Sequence, residues 1–167
     1  PALGGVGHFT LVEESFIDAA SSAAVSSGAF FVEVKEWVVS IEGLETIVKD
    51  TSKLDIVTVV GMPIRIENKL YNTAVVVNKG EVLGIVPKTY IDRHGEEGRW
   101  FSTADTLHSK TITLFGKTVV VGTDLLFRDN EDQRITLGVE VGEDLWNVKN
   151  PSQDLALGGA TIVINPA

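Results

Sequence analysis

Apolar residues recur at two different periods along this chain. Over residues 10–24 they fall three or four apart, at Val12, Phe16, Ala19, Ala20 and Ala23, with Phe9 just ahead of them. That spacing places them on one face of a helix. Thr10 and Glu13 match a capping box, in which hydroxyl and carboxylate each take an orphan backbone N–H. Gly28, after Ser26 and Ser27, suits the left-handed end of that helix. Residues 29–34 are aromatic and β-branched and predict a strand. Helical spacing returns over 38–48 through Ile41, Leu44 and Val48, with Gly43 weakening it.

The rest of the chain is dominated by short apolar runs. Residues 55–60 form a near-continuous one, short enough for a buried strand. Residues 71–78 and 81–86 flank Lys79-Gly80, a turn dipeptide in which glycine supplies the positive φ, so they predict a hairpin. A second hairpin is expected from 111–115 and 117–122 around Gly116. Residues 135–141 predict another strand. Asn150 and Pro151 then suit the cap and first position of a short helix, which Gly158-Gly159 stops. Residues 160–164 read as a final buried strand. The β-α-β order with added hairpins points to a layered α/β domain. Strands apolar on both faces need cover on both sides.

Composition narrows the function classes. A chain of 167 residues, 44% hydrophobic and 22% charged, is expected to be one globular domain. A net charge of −9 speaks against a nucleic-acid partner, which would need a basic patch. No apolar run approaches the roughly 18–20 residues of a membrane span, and residues 1–7 lack the pattern of a signal peptide. The sequence contains no cysteine, which excludes disulfides and thiolate metal sites and fits a cytoplasmic protein. His8, His94 and His108 lack metal-ligand spacing. The glycine-rich Gly4-Gly-Val-Gly7 follows no strand and does not read as a phosphate loop.

Four stretches carry a family likeness: Leu70-Tyr-Asn-Thr-Ala-Val-Val-Val-Asn-Lys-Gly80, Leu83-Gly-Ile-Val-Pro-Lys-Thr-Tyr90, Gly122-Thr-Asp-Leu-Leu-Phe127 and Val139-Glu-Val-Gly-Glu-Asp-Leu-Trp146. The run from Leu155 to Asn165 continues it. The chain resembles the nitrilase, or carbon–nitrogen hydrolase, superfamily, and within it the glutaminase domain of glutamine-dependent NAD synthetase. Thr123-Asp-Leu-Leu-Phe127 is the stretch that favours that branch over a general amidase. The resemblance implies a layered α-β-β-α sandwich. It also implies that residues 1–167 are a single hydrolase-like domain, incomplete at its C-terminal side. Between Glu36 and Gly61 the chain is shorter than the family pattern.

The family reaction uses a cysteine, a lysine and a glutamate. The thiolate attacks an amide carbonyl, the glutamate transfers protons, and the lysine with a backbone N–H stabilises the oxyanion. Carried over residue by residue, the lysine is Lys88, in Val-Pro-Lys-Thr-Tyr. The glutamate matches Glu36, with Glu33 as its rival. Glu97, in Glu-Gly-Arg-Trp-Phe, matches a second carboxylate that positions lysine and substrate. Tyr71 matches a tyrosine lining the glutamine pocket, or is an ordinary sheet aromatic. Glu143 would contribute its backbone N–H, and Trp146 would wall the pocket or fill core. The nucleophile position is Gly142, which has no side chain. Glu140 is no replacement, because the family carries that glutamate beside its cysteine.

Three functions follow as expectations. The first is a glutaminase-type domain supplying ammonia for NAD synthesis, inactive here at position 142. It needs no cofactor of its own, because ATP would belong to a separate synthetase domain. Its ligand would be glutamine or another small amide, and its partners further copies of itself or the synthetase domain. The second is a non-catalytic module for assembly or binding. The third is another amidase of the superfamily.

Overall fold

The computed structural model describes the backbone of residues 8–10, 31–35 and 41–166, and the side chains of residues 41–166. Its elements are β1 (His8–Thr10), β2 (Phe31–Lys35), α1 (Ile41–Asp50), β3 (Ile56–Ile66), β4 (Lys69–Asn78), β5 (Glu81–Pro87), α2 (Glu97–Trp100), β6 (Thr111–Leu114), β7 (Lys117–Val120), β8 (Leu126–Arg128), β9 (Thr136–Val139), α3 (Pro151–Leu157) and β10 (Ile162–Ile164). Strands β1 to β5 form one sheet in chain order. β1, β2 and β3 are parallel, and β4 and β5 return antiparallel as hairpins. A second sheet runs β10-β9-β8, with β10 parallel and β8 antiparallel to β9. The β6–β7 hairpin joins the first sheet through a bridge between Ile85 and Val121.

Side-chain alternation explains the continuous apolar runs. Met62, Ile64 and Ile66 of β3, with Tyr71, Val75 and Val77 of β4, face one way. They pack with Leu44 of α1 and with Leu114, Val119 and Val121 around the β6–β7 hairpin. Val57 and Val59, with Ala74, Val76 and Val86, face the other way, against Leu137, Val139, Val141 and Ile164 of the second sheet. The outer face of that second sheet carries α3, where a Cβ at Gly138 would lie 3.1 Å from Leu155. The layers are therefore α, β, β, α, as expected, and the middle strands are buried on both faces.

Several boundaries differ from the sequence expectation. The strand expected over 55–60 runs on to Ile66, because Glu67 and Asn68 both take positive φ (50° and 64°) and close a tight hairpin with β4. Neither residue is a glycine, and only Asn68 is of a type that favours this region, so the turn gave a weak composition signal. β8 was not expected. Its Phe127, with Leu125, packs onto the inter-sheet core, and the Phe127 ring lies where a Cβ at Gly84 would come within 2.9 Å. The helix expected over 38–48 is observed at Ile41–Asp50. Thr10 is the last residue of β1, and the rest of the helix expected over 10–24 lies outside the described residues. No helix among the described residues is long and apolar enough to cross a membrane.

Candidate active site

Lys88 follows directly on β5, and its backbone is tied on both sides. Its N–H donates to the Asn72 carbonyl at 2.8 Å, and its own carbonyl accepts from Ala104 N–H at 3.2 Å. The side chain then enters a nearly closed environment, only 4% exposed. Its ammonium donates to Glu97 Oε2 at 2.5 Å and to Glu143 Oε2 at 2.6 Å. Burial works against the charged form. The hydrogen bonds and charges of Glu143 and Glu97 outweigh it and hold the lysine pKa above its ordinary value.

Glu97 opens α2, and both of its carboxylate oxygens are engaged. Oε2 takes the lysine, and Oε1 accepts from Asn72 Nδ2 at 2.9 Å. Asn72 lies on the face of β4 that looks toward the second sheet, one residue from Tyr71 on the opposite face. The expected pair Lys88–Glu97 is thus brought together, and Asn72 is a third member that sequence reasoning missed. Its only signal was its place inside the Leu70–Gly80 stretch.

Position 142 stands at the carboxyl end of the parallel pair β9–β10, where open α/β sheets usually place their ligands. Val141 is still extended, and Gly142–Trp146 then forms a tight 3₁₀ turn. Gly142 has φ +55°, a left-handed conformation that a side chain makes costly. A Cβ built on it would point at the ammonium of Lys88, 3.6 Å away, with Lys88 Cε at 3.9 Å and no other neighbour within 4 Å among the described residues. A Cβ at 142 would therefore meet no clash among the described residues, and it would touch the lysine.

The remaining expected residues divide. The Glu143 carboxylate reaches Lys88 although its side chain is 71% exposed. The resemblance assigned a role only to its backbone, so the side-chain contact is new. The Glu143 N–H has no acceptor among the described residues. Tyr71 is fully buried in the core below α1, with its hydroxyl 3.2 Å from Thr106 Oγ1. The structure does not bring it to Lys88. Trp146 is 81% exposed and fills no core. Glu140 is buried on the far side of β9, where Oε2 accepts from Ser152 N–H at 3.0 Å in the first turn of α3. Glu36 lies outside the described residues.

A second missed residue links the two halves of the site. Asp144 is buried, and its two oxygens accept from Thr89 N–H and Tyr90 N–H, both at 2.8 Å. Tyr90 also donates through its hydroxyl to the Lys149 carbonyl at 2.7 Å. These bonds stitch the loop after Lys88 to the turn after Gly142. Burial pushes the Asp144 carboxyl above its ordinary value, against the pull of the hydrogen-bond donors around it, the Thr89 and Tyr90 N–H groups first among them.

No family model matches the chain. It is 40% identical over 126 residues to the glutamine-dependent NAD(+) synthetase of Mycobacterium tuberculosis, a match covering 74% of this chain and 18% of that protein. It superposes on the crystal structure of a glutamine-dependent NAD(+) synthetase from Cytophaga hutchinsonii with a TM-score of 0.65 at 23% identity, over 91% of this chain and 27% of that one. Saccharomyces cerevisiae Nit3, a member of branch 10 of the nitrilase superfamily, superposes with a TM-score of 0.52 at 15% identity, over 96% of this chain and 61% of its own. At those identities the structural likenesses establish the fold. The chain spans about a fifth of the length of the curated relatives it matches.

Proposed function

This chain belongs to the nitrilase, or carbon–nitrogen hydrolase, superfamily, and on that basis we propose that it carries the framework of a glutaminase site from which the nucleophile is missing. The observation that carries this reading is the Cβ direction of Gly142, which ends 3.6 Å from a buried lysine already paired with Glu97. In an amide-hydrolysing site of this kind a thiolate at 142 attacks the carbonyl carbon. Lys88 and the Glu143 N–H receive the oxygen as it gains charge. Glu97 keeps the lysine charged and Asn72 keeps Glu97 in place. Glu36 would be the group that carries the proton to the departing nitrogen. Glycine supplies no nucleophile, so this chain does not form the acyl intermediate. Ammonia supplied from glutamine to NAD synthesis is the role the likeness supports for such a site with its cysteine in place.

The experiment is restoration. Gly142→Cys is assayed for ammonia release from glutamine, with Gly142→Cys/Lys88→Met as control. Release that depends on Lys88 supports the proposal. No release from glutamine or other small amides by a folded Gly142→Cys protein refutes it.

A second reading, a non-catalytic assembly module, is favoured by exposed apolar residues in that turn and in the segment that follows it. Trp146, Val148 and Leu157 all stand in solvent. Sedimentation decides this one. A monomer at all protein concentrations refutes assembly through a second copy of the chain.

A further inference from the structure

We infer that Asn165 is a positioning residue for amide chemistry at this site, setting the plane of the Gly142–Glu143 peptide and so aiming the Glu143 N–H. The inference rests on the reading of position 142 as the nucleophile position. Asn165 and Pro166 follow directly on β10 and meet both polar groups of Gly142. The Gly142 N–H donates to the Pro166 carbonyl at 2.9 Å. The Gly142 carbonyl accepts from Asn165 Nδ2, also at 2.9 Å.

A peptide unit is planar and trans, so its carbonyl and the following N–H point in opposite directions. Holding the Gly142 carbonyl on Asn165 therefore turns the Glu143 N–H away from Asn165. That N–H has no acceptor among the described residues. It is one of the orphan donors that open a helical turn. The 3₁₀ turn that Gly142 opens already restrains that plane. The Asn165 bond adds a side-chain tie to its carbonyl, so the donor is held before any oxyanion forms, which is what makes such donors effective. Asn165 touches no reacting atom in this arrangement and acts only through the peptide.

The test compares two reactions of one thiol. In the Gly142→Cys protein, p-nitrophenyl acetate acylates the thiolate: the C–S bond forms, a tetrahedral oxyanion develops, and p-nitrophenolate leaves with its electron pair. Iodoacetamide alkylates the same thiolate by displacing iodide at a saturated carbon, and no oxyanion develops. Both rates share one thiolate fraction, so their ratio reports oxyanion stabilisation rather than thiolate supply, and the change on removing Asn165 reports its share. Adding Asn165→Ala should slow acylation about tenfold or more while alkylation stays within about twofold. Asn165→Ser, which keeps a short donor, should recover part of the loss and stands in if the alanine variant does not fold.

Equal losses in both reactions, or no loss in either, overturn the inference. A Gly142→Cys protein that alkylates but never acylates overturns it as well. Glutamine is assayed separately. Acylation by the ester that depends on Asn165, without ammonia from glutamine, refutes the substrate reading and leaves the positioning role standing.

Discussion

The sharpest consequence of the site geometry concerns the acidity of a thiol placed at position 142. In a Gly142→Cys protein the new Cβ lies 3.6 Å from the ammonium of Lys88. In a rotamer turned toward the lysine the sulfur, one bond further on, lies about 4 Å or less from that charge. At the effective dielectric of a partly buried site, opposite charges at this distance attract by about 4 kcal/mol. Two carboxylates, Glu97 and Glu143, sit on the same lysine and repel the thiolate. Glu143 is largely solvated, so its share is screened. Allowing half of the attraction to survive leaves about 2 kcal/mol, or about 1.5 pKa units, which brings a thiol from about 8.5 to about 7. Replacing Lys88 by Met leaves the carboxylates and the burial without the cation, and both raise the thiol pKa. The assay is the rate of iodoacetamide alkylation from about pH 5 to 10. The chain has no other cysteine, so the signal belongs to one sulfur. Expected are a midpoint near 7 for Gly142→Cys and one above 8.5 when Lys88→Met is added. Equal midpoints would refute the reasoning, because Lys88 would then not lie beside position 142 in solution.

Other expectations follow from the same contacts. Gly142→Ala should lower stability by about 1 kcal/mol through its φ of +55° while creating no clash, as read by denaturant midpoint. Unchanged stability would mean that the turn is not left-handed at 142. Asp144→Ala strips two partly buried N–H groups of their acceptor and should cost about 1–3 kcal/mol by the same measurement. A cost near zero would remove Asp144 as the tie between the two halves. Because the Asp144 pKa is raised on folding, the folded state holds the extra proton between the unfolded and folded values. Its contribution to stability therefore declines as pH rises through that window, from about 4 upward. Denaturation series across the window should show this slope, and Asp144→Asn should abolish it. Gly84→Ala should cost about 1–3 kcal/mol by driving a methyl into the Phe127 ring. A neutral result would mean that the second sheet does not pack there.

Much of the fold was legible because its signals are local. Lys79-Gly80 and Phe115-Gly116 mark their hairpins with a glycine in the left-handed region. The apolar runs of β4 and β5 announce strands covered on both sides. The Glu67-Asn68 turn was barely legible, since only Asn68 is of a type that favours positive φ, and Glu67 is held there by the long pairing of β3 with β4. β8 was missed for a similar reason. Three residues make a strand only because β9 and the facing core accept them.

Lys88, Glu97 and position 142 could be named from the sequence because each sits in a short stretch with a family likeness. That likeness speaks to residue type and says nothing of distance. Only the tertiary structure decided that the Cβ direction of Gly142 ends at the Lys88 ammonium, that Glu97 and Glu143 share that ammonium, and that Tyr71 belongs to the opposite face of its strand. It also recruited Asn72, Asp144 and Asn165, none of which had been singled out. The physical reason is sequence separation. Lys88 and Glu143 stand 55 positions apart, and Gly142 and Asn165 stand 23 apart. Such groups meet only because two sheets, packed through one apolar core, end their strands at the same edge. Pattern along the chain determines which residues can do chemistry. The packing of the sheets determines which of them do it together.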